Sequence, residues 1–136
     1  MQLYFKNGFV TLSYNREKRL GKAVWTGRLR GPELREAYLL CLEMVNRFHL
    51  TRWLADDRGL GAIDPEDLQW SLEVYVPRLA ATSLLRMARL PSVNDKGREA
   101  VDIMIDKGHT FELDLILRDF PSEAEAMNWL MEPLPV

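Results

Sequence analysis

Beyond residue 30 the chain alternates between segments of helical period and short β-prone runs, and this alternation restricts the fold more than any other feature. From Pro32 onward, Leu34, Ala37, Tyr38, Cys41, Leu42, Val45 and Phe48 recur at three- and four-residue steps, one apolar face of a helix of about four turns. Pro32 suits the first helical position, where its missing N–H has no helical partner in any case. Thr51–Ala55 follows as a compact strand, with Trp53 and Ala55 on one face and Leu54 on the other. Asp64 as N-cap, Pro65 as first position and the acids Glu66 and Asp67 announce a second helix. Leu68, Leu72, Tyr75 and Leu79 continue its stripe, and Pro77 is expected to kink or end it near Val76.

Leu84–Leu90 reads as the next strand, closed by Pro91. Ser92 or Asn94 would cap a helix whose face holds Ala100, Val101, Met104 and Ile105, with Gly108 stopping it in a left-handed turn. Phe111–Leu117 alternates apolar and polar residues, the pattern of a half-buried strand. Ser122 and Glu125 form a capping-box pattern before a last helix carrying Ala126, Trp129 and Leu130, and the proline-containing tail Met131–Val136 should be irregular. At the start, Phe9–Tyr14 and Leu20–Thr26 flank the polar connector Asn15–Arg19, a hairpin, and Gly27–Gly31 is a turn. The expected order is ββαβαβαβα. Strands separated by helices imply right-handed parallel crossovers, so the fold class is α/β: a single domain over residues 1–136 with one mixed sheet and helices mainly on one face.

Composition agrees and excludes several classes. A chain of 136 residues, 47% hydrophobic and 28% charged, can bury one core. No apolar run approaches a membrane span, and MQLYFKNG lacks the layout of a signal peptide. A lone cysteine, Cys41, cannot form an internal disulfide, which makes a reducing cytoplasm the expected location. Cys41, His49 and His109 lie too far apart in sequence to suggest a zinc site, and no cofactor is indicated. The net charge of −2 conceals an asymmetry. Residues 1–52 hold ten Lys or Arg against four Asp or Glu, and residues 53–136 hold eight against sixteen. The basic set Arg16, Lys18, Arg19, Lys22, Arg28 and Arg30 lacks an arginine-rich recognition helix, so nucleic acid is not the expected partner. The simpler expectation is that the two halves interleave in the fold.

Between the Thr51–Ala55 strand and the second helix stands Asp56-Asp57-Arg58-Gly59-Leu60-Gly61, read as the start of a glycine-containing loop. With the order of elements, this stretch resembles the STAS family, domains related to bacterial anti-sigma-factor antagonists, whose corresponding turn reads Asp-Ser-Ser-Gly-Leu or close to it. The segment from Phe120 to Leu130 also looks like the last helix of small SpoIIAA-like proteins. The resemblance implies a regulatory, partner-binding domain. It also implies loss of the usual switch, because the phosphoacceptor serine of the family is Arg58 here and the serine before it is Asp57.

Two functional expectations follow. The first is a non-enzymatic interaction domain that binds a protein partner through Asp56, Asp57, Arg58, Gly59, Leu60 and Gly61. The second is a module for a small apolar molecule or lipid, with Trp53, Trp70 and Trp25 as candidate pocket lining, since SpoIIAA-like domains resemble lipid-exchange folds. A two-fold homodimer is compatible with either. Paired acids at a strand end can hold Mg²⁺ or share a proton, but no acid–base partner for Asp56 and Asp57 can be assigned from spacing. Ser71 and Ser83 have no nearby His/Asp constellation, so an enzyme is not expected. Cys41 reads as a small buried hydrophobe, and His49 as a cation facing a helix C-terminus.

Overall fold

The computed structural model describes residues 1–134; Pro135 and Val136, the end of the expected irregular tail, lie outside the described residues. One six-stranded sheet runs in strictly sequential order, β1 (Gln2–Lys6), β2 (Val10–Asn15), β3 (Leu20–Gly27), β4 (Arg52–Leu60), β5 (Arg86–Leu90) and β6 (Ile116–Asp119). β1, β2 and β3 pair antiparallel, and β3 through β6 pair parallel. The mixed α/β architecture is therefore the expected one, with an additional edge strand at the start. Asn7 makes the β1–β2 turn by accepting hydrogen bonds from the N–H groups of Phe9 and Val10 at 2.8 and 3.0 Å.

Three crossovers connect the parallel strands: α1 (Pro32–Phe48), a bent rod from Pro65 to Ala80, and α4 (Asp95–Gly108). Each crossover steps to the next strand in the same direction. Right-handedness then puts all three on one face of the sheet. Their apolar sides meet Leu12, Ala23, Trp25, Trp53 and Met87 in the larger core. The final helix, α5 (Glu123–Leu130), follows the last strand and packs on the opposite face, where Ala126, Trp129 and Leu130 cover Leu20, Leu54, Ala88 and Leu90.

The bent rod comprises α2 (Pro65–Trp70), a π turn (Ser71–Tyr75) and α3 (Val76–Ala80). Pro77 does not end it. Val76 donates its N–H to Ser71 O, one residue wider than the α-helical bond, and the chain absorbs the proline in this widened turn before continuing. Asp64 precedes the rod as expected, but its carboxylate does not cap it. It pairs with Arg28 and lies 3.9 Å from Arg30. Asn94 caps α4 by accepting from the N–H of Gly97 at 2.9 Å, and Ser122 caps α5 by accepting from the N–H of Glu125 at 3.3 Å. Gly108 stays within α4 instead of turning left-handed, and the helix closes through the N–H of His109 on Ile105 O.

The left-handed helix stop occurs at His49, with φ 49° and ψ 49° after α1. A side chain in that conformation is strained, whereas glycine is not. His49→Gly is expected to raise stability by about 0.5–1 kcal/mol, read as a higher urea midpoint.

The charge asymmetry is resolved by interleaving. Lys22 of β3 pairs with Glu123 of α5, and Arg28 pairs with Asp64.

Candidate functional site

β4 extends further than the sequence suggests. Asp56, Asp57, Arg58, Gly59 and Leu60 are strand rather than loop, because β3 continues to pair with them: Val24 with Asp56, Thr26 with Gly59, Gly27 with Leu60. Two steps on β3 therefore oppose three on β4, a bulge at Asp57 and Arg58. A side chain on Gly59 would stand 2.9 Å from Trp25 O, so only glycine lets the strands stay this close.

Strand alternation decides where the two acids go. Asp56 faces the side of Leu54, and Arg58 reaches back to it, donating from Nε to Oδ1 at 2.9 Å and from Nη2 to Oδ2 at 2.8 Å. Those hydrogen bonds hold the Asp56 carboxyl below the usual carboxylate range, against burial. Asp57 faces the opposite way, in line with Trp53 and Ala55, toward the three crossover helices. Only 5% of Asp57 is exposed, and its carboxyl has no hydrogen-bond partner among the described residues. Burial pushes it up to about 7, opposed by the positive charge of Arg89 and reinforced by Asp56 and Asp119.

Asp57 lines an apolar cavity of about 350 Å³ between the sheet and the helices. Trp25 and Trp53 come from the strands, Tyr38 from α1, Tyr75 from the π turn and Met104 from α4. Tyr38 and Tyr75 stack with centroids 3.9 Å apart, and the Tyr38 hydroxyl meets Met104 Sδ at 3.7 Å. Phe111, Leu113, Leu115 and Leu117 close one side. The strand expected over Phe111–Leu117 is in fact Ile116–Asp119, the stretch that finds backbone partners on β5 from Arg86 to Arg89. The alternation upstream of it supplies a row of cavity-facing apolar side chains instead.

Beside the cavity floor, Arg89 is buried and holds Asp119 through Nε and Nη2 and Asp102 through Nη2, each at 2.8 Å, while its Nη1 has no hydrogen-bond partner among the described residues. Cys41 is fully buried, and burial followed by the negative charge of Asp57 pushes its thiol well up, away from the reactive thiolate. His109 lines the cavity from the end of α4, whereas His49 is remote from it.

Of the residues expected from sequence, the structure brings Trp25, Trp53, Asp57 and Leu60 together on the cavity. Trp70 lies elsewhere, under the Arg35 guanidinium at 5.6 Å. Within the Asp56–Gly61 stretch, only Arg58 and Gly59 are exposed. Tyr38, Tyr75, Met104 and Phe111 belong to the cavity without having been singled out for it, since their helical or strand spacing is equally that of a filled core. Asp57 offered the usable signal: it continues the every-second-residue face begun by Trp53 and Ala55.

Among the described residues, no group of three or more His, Cys, Asp or Glu is placed to hold a metal ion, and no helix is long and apolar enough to cross a membrane. No family model, curated protein or solved structure matches the chain. The fold and cavity thus define a class by architecture alone: a mixed α/β domain with a carboxyl at the base of an apolar chamber.

Proposed function

We propose that this chain is a non-enzymatic binding module for a small, largely apolar molecule. The observation that carries this reading is the cavity of about 350 Å³, within the size range of ligand sites and lined mainly by aromatic and aliphatic side chains. The resemblance of its element order to SpoIIAA-like domains points in the same direction. A filled core would have left no room for a ligand.

Native mass spectrometry of gently purified protein tests the proposal. The expected result is a bound small molecule that leaves on denaturation. Ala55→Phe places a ring in the chamber from β4 and is expected to reduce occupancy at least tenfold while preserving the fold. Full occupancy in the folded Ala55→Phe protein would place the ligand elsewhere and defeat the reading.

Protein-partner binding is the second reading, favoured by one surface feature. Val93 is 82% exposed and donates its N–H to Arg58 O, so an apolar side chain stands beside the exposed Arg58. Under that reading, Arg58→Glu weakens association with a partner polypeptide and leaves cavity occupancy unchanged.

A further inference from the structure

We propose that the molecule bound in the cavity is an apolar amine whose ammonium group pairs with the Asp57 carboxylate inside a ring of aromatic side chains. This rests on the cavity being a binding site and names the chemical class it selects. Three observations converge. Asp57 is 95% buried, lines the cavity and has no hydrogen-bond partner among the described residues. A buried acid left in that state is costly to the fold and is complemented by a ligand that donates to it or neutralises it.

Charge decides between donors. Arg89, whose positive charge acts on Asp57 from beside the cavity, is committed to Asp102 and Asp119. Asp57 is the carboxylate among the cavity's described lining residues, so the lining is negative when it is ionised. Asp56 is paired with Arg58, and its charge still acts on Asp57 in the same sense as that of Asp119. Among the described residues no lysine or arginine lines the chamber, and His109 is its one basic lining residue.

The walls favour the same occupant. Trp25, Tyr38, Trp53, Tyr75 and Phe111 contribute five aromatic rings to the lining that Asp57 shares. Aromatic faces attract cations, and the attraction is strongest where water is excluded. A carboxylate ligand would meet repulsion from Asp57, and an alcohol would satisfy one hydrogen bond without offsetting the charge. At pH 8 Asp57 is mostly ionised, because burial raises it only to about 7. The groups acting on it are Arg89 from β5, Asp119 from β6, Asp56 from its own strand, and Tyr38, Cys41 and Tyr75 from the helical side.

Isothermal titration at pH 8 with n-octylamine, 1-octanol and sodium octanoate separates the head-group classes on one chain length. The wild-type protein is expected to bind octylamine at least tenfold more tightly than octanol, with octanoate weakest. Asp57→Asn, close to isosteric, is expected to bring octylamine to the octanol level and leave octanol unchanged. Equal binding of amine and alcohol, tighter binding of octanoate, or an amine preference surviving in Asp57→Asn would overturn the amine assignment while leaving the cavity as a binding site. Failure of all three to bind the folded wild-type protein would overturn both.

Discussion

Asp57→Asn is expected to stabilise the empty protein at pH 8 by about 2–4 kcal/mol and to leave its stability nearly unchanged at pH 4. In the unfolded chain Asp57 titrates at its ordinary value of 3.8, whereas burial raises it in the folded protein to about 7. Between those values the folded state holds a proton that the unfolded state has released. Wild-type stability contributed by this group is therefore full below pH 3.8, falls as pH rises toward 7, and is flat above. About three pH units at roughly 1.4 kcal/mol each set the scale of the loss, and the unpartnered amide of asparagine returns some of it. Asp56 acts with the opposite sign: its lowered carboxyl stabilises at neutral pH and loses that contribution in acid. Comparing the two proteins at each pH removes Asp56 from the measurement. Urea midpoints at pH 4, 6 and 8 provide the test, and parallel pH curves would contradict the assignment of Asp57 as a buried, unpartnered acid. A residue whose removal strengthens the fold is most simply retained for what it binds.

Gly97→Ala is expected to lower stability through a clash with fixed backbone. The added carbon would stand 2.7 Å from both Leu60 O and Gly61 O, a contact between α4 and the backbone leaving β4. Neither oxygen can move freely. Leu60 O accepts from Ser92 Oγ at 2.6 Å, and the N–H of Gly61 is tied to Gly27 O at 2.8 Å. Alanine's better helix propensity returns about 1 kcal/mol, but overpacking against fixed backbone costs more, giving a net loss of about 1–3 kcal/mol. The thermal midpoint should fall by several degrees. Because Val101, Met104 and Ile105 of α4 form a cavity wall, octylamine affinity should fall with it, whereas stability at or above wild type would refute the close approach.

Both expected effects arise at positions that the sequence marked only in part. The crossover pattern was legible because helix α1 and strands β2 and β3 carry clean periodicities that tertiary context does not disturb. β1 escaped notice because Gln2–Lys6 is an exposed edge with one half-buried side, too weak an alternation to register. The extension of β4 through Leu60 depends on partners more than 30 residues away in β3, and two aspartates and a glycine argue locally for a loop. That one error in boundary hid the candidate site, since reading Asp57 as strand turns it inward. Cavities themselves leave no trace in periodicity. Tyr38 and Tyr75 have the spacing of core residues whether the space between elements is filled or not.

The strictly sequential sheet has a further consequence for the order in which the chamber comes into being. Each strand is laid beside its immediate predecessor, and none has to be inserted between two already paired. A chain emerging from the ribosome can add one crossover at a time, in the direction of synthesis. The wall formed by α4, by Phe111 to Leu115 and by β6 is then among the last parts to be laid down. A nascent chain ending at Leu90 has α1 and the Pro65–Ala80 rod over Asp57 but lacks this last wall. The chamber is completed only when the residues up to Leu117 have been added.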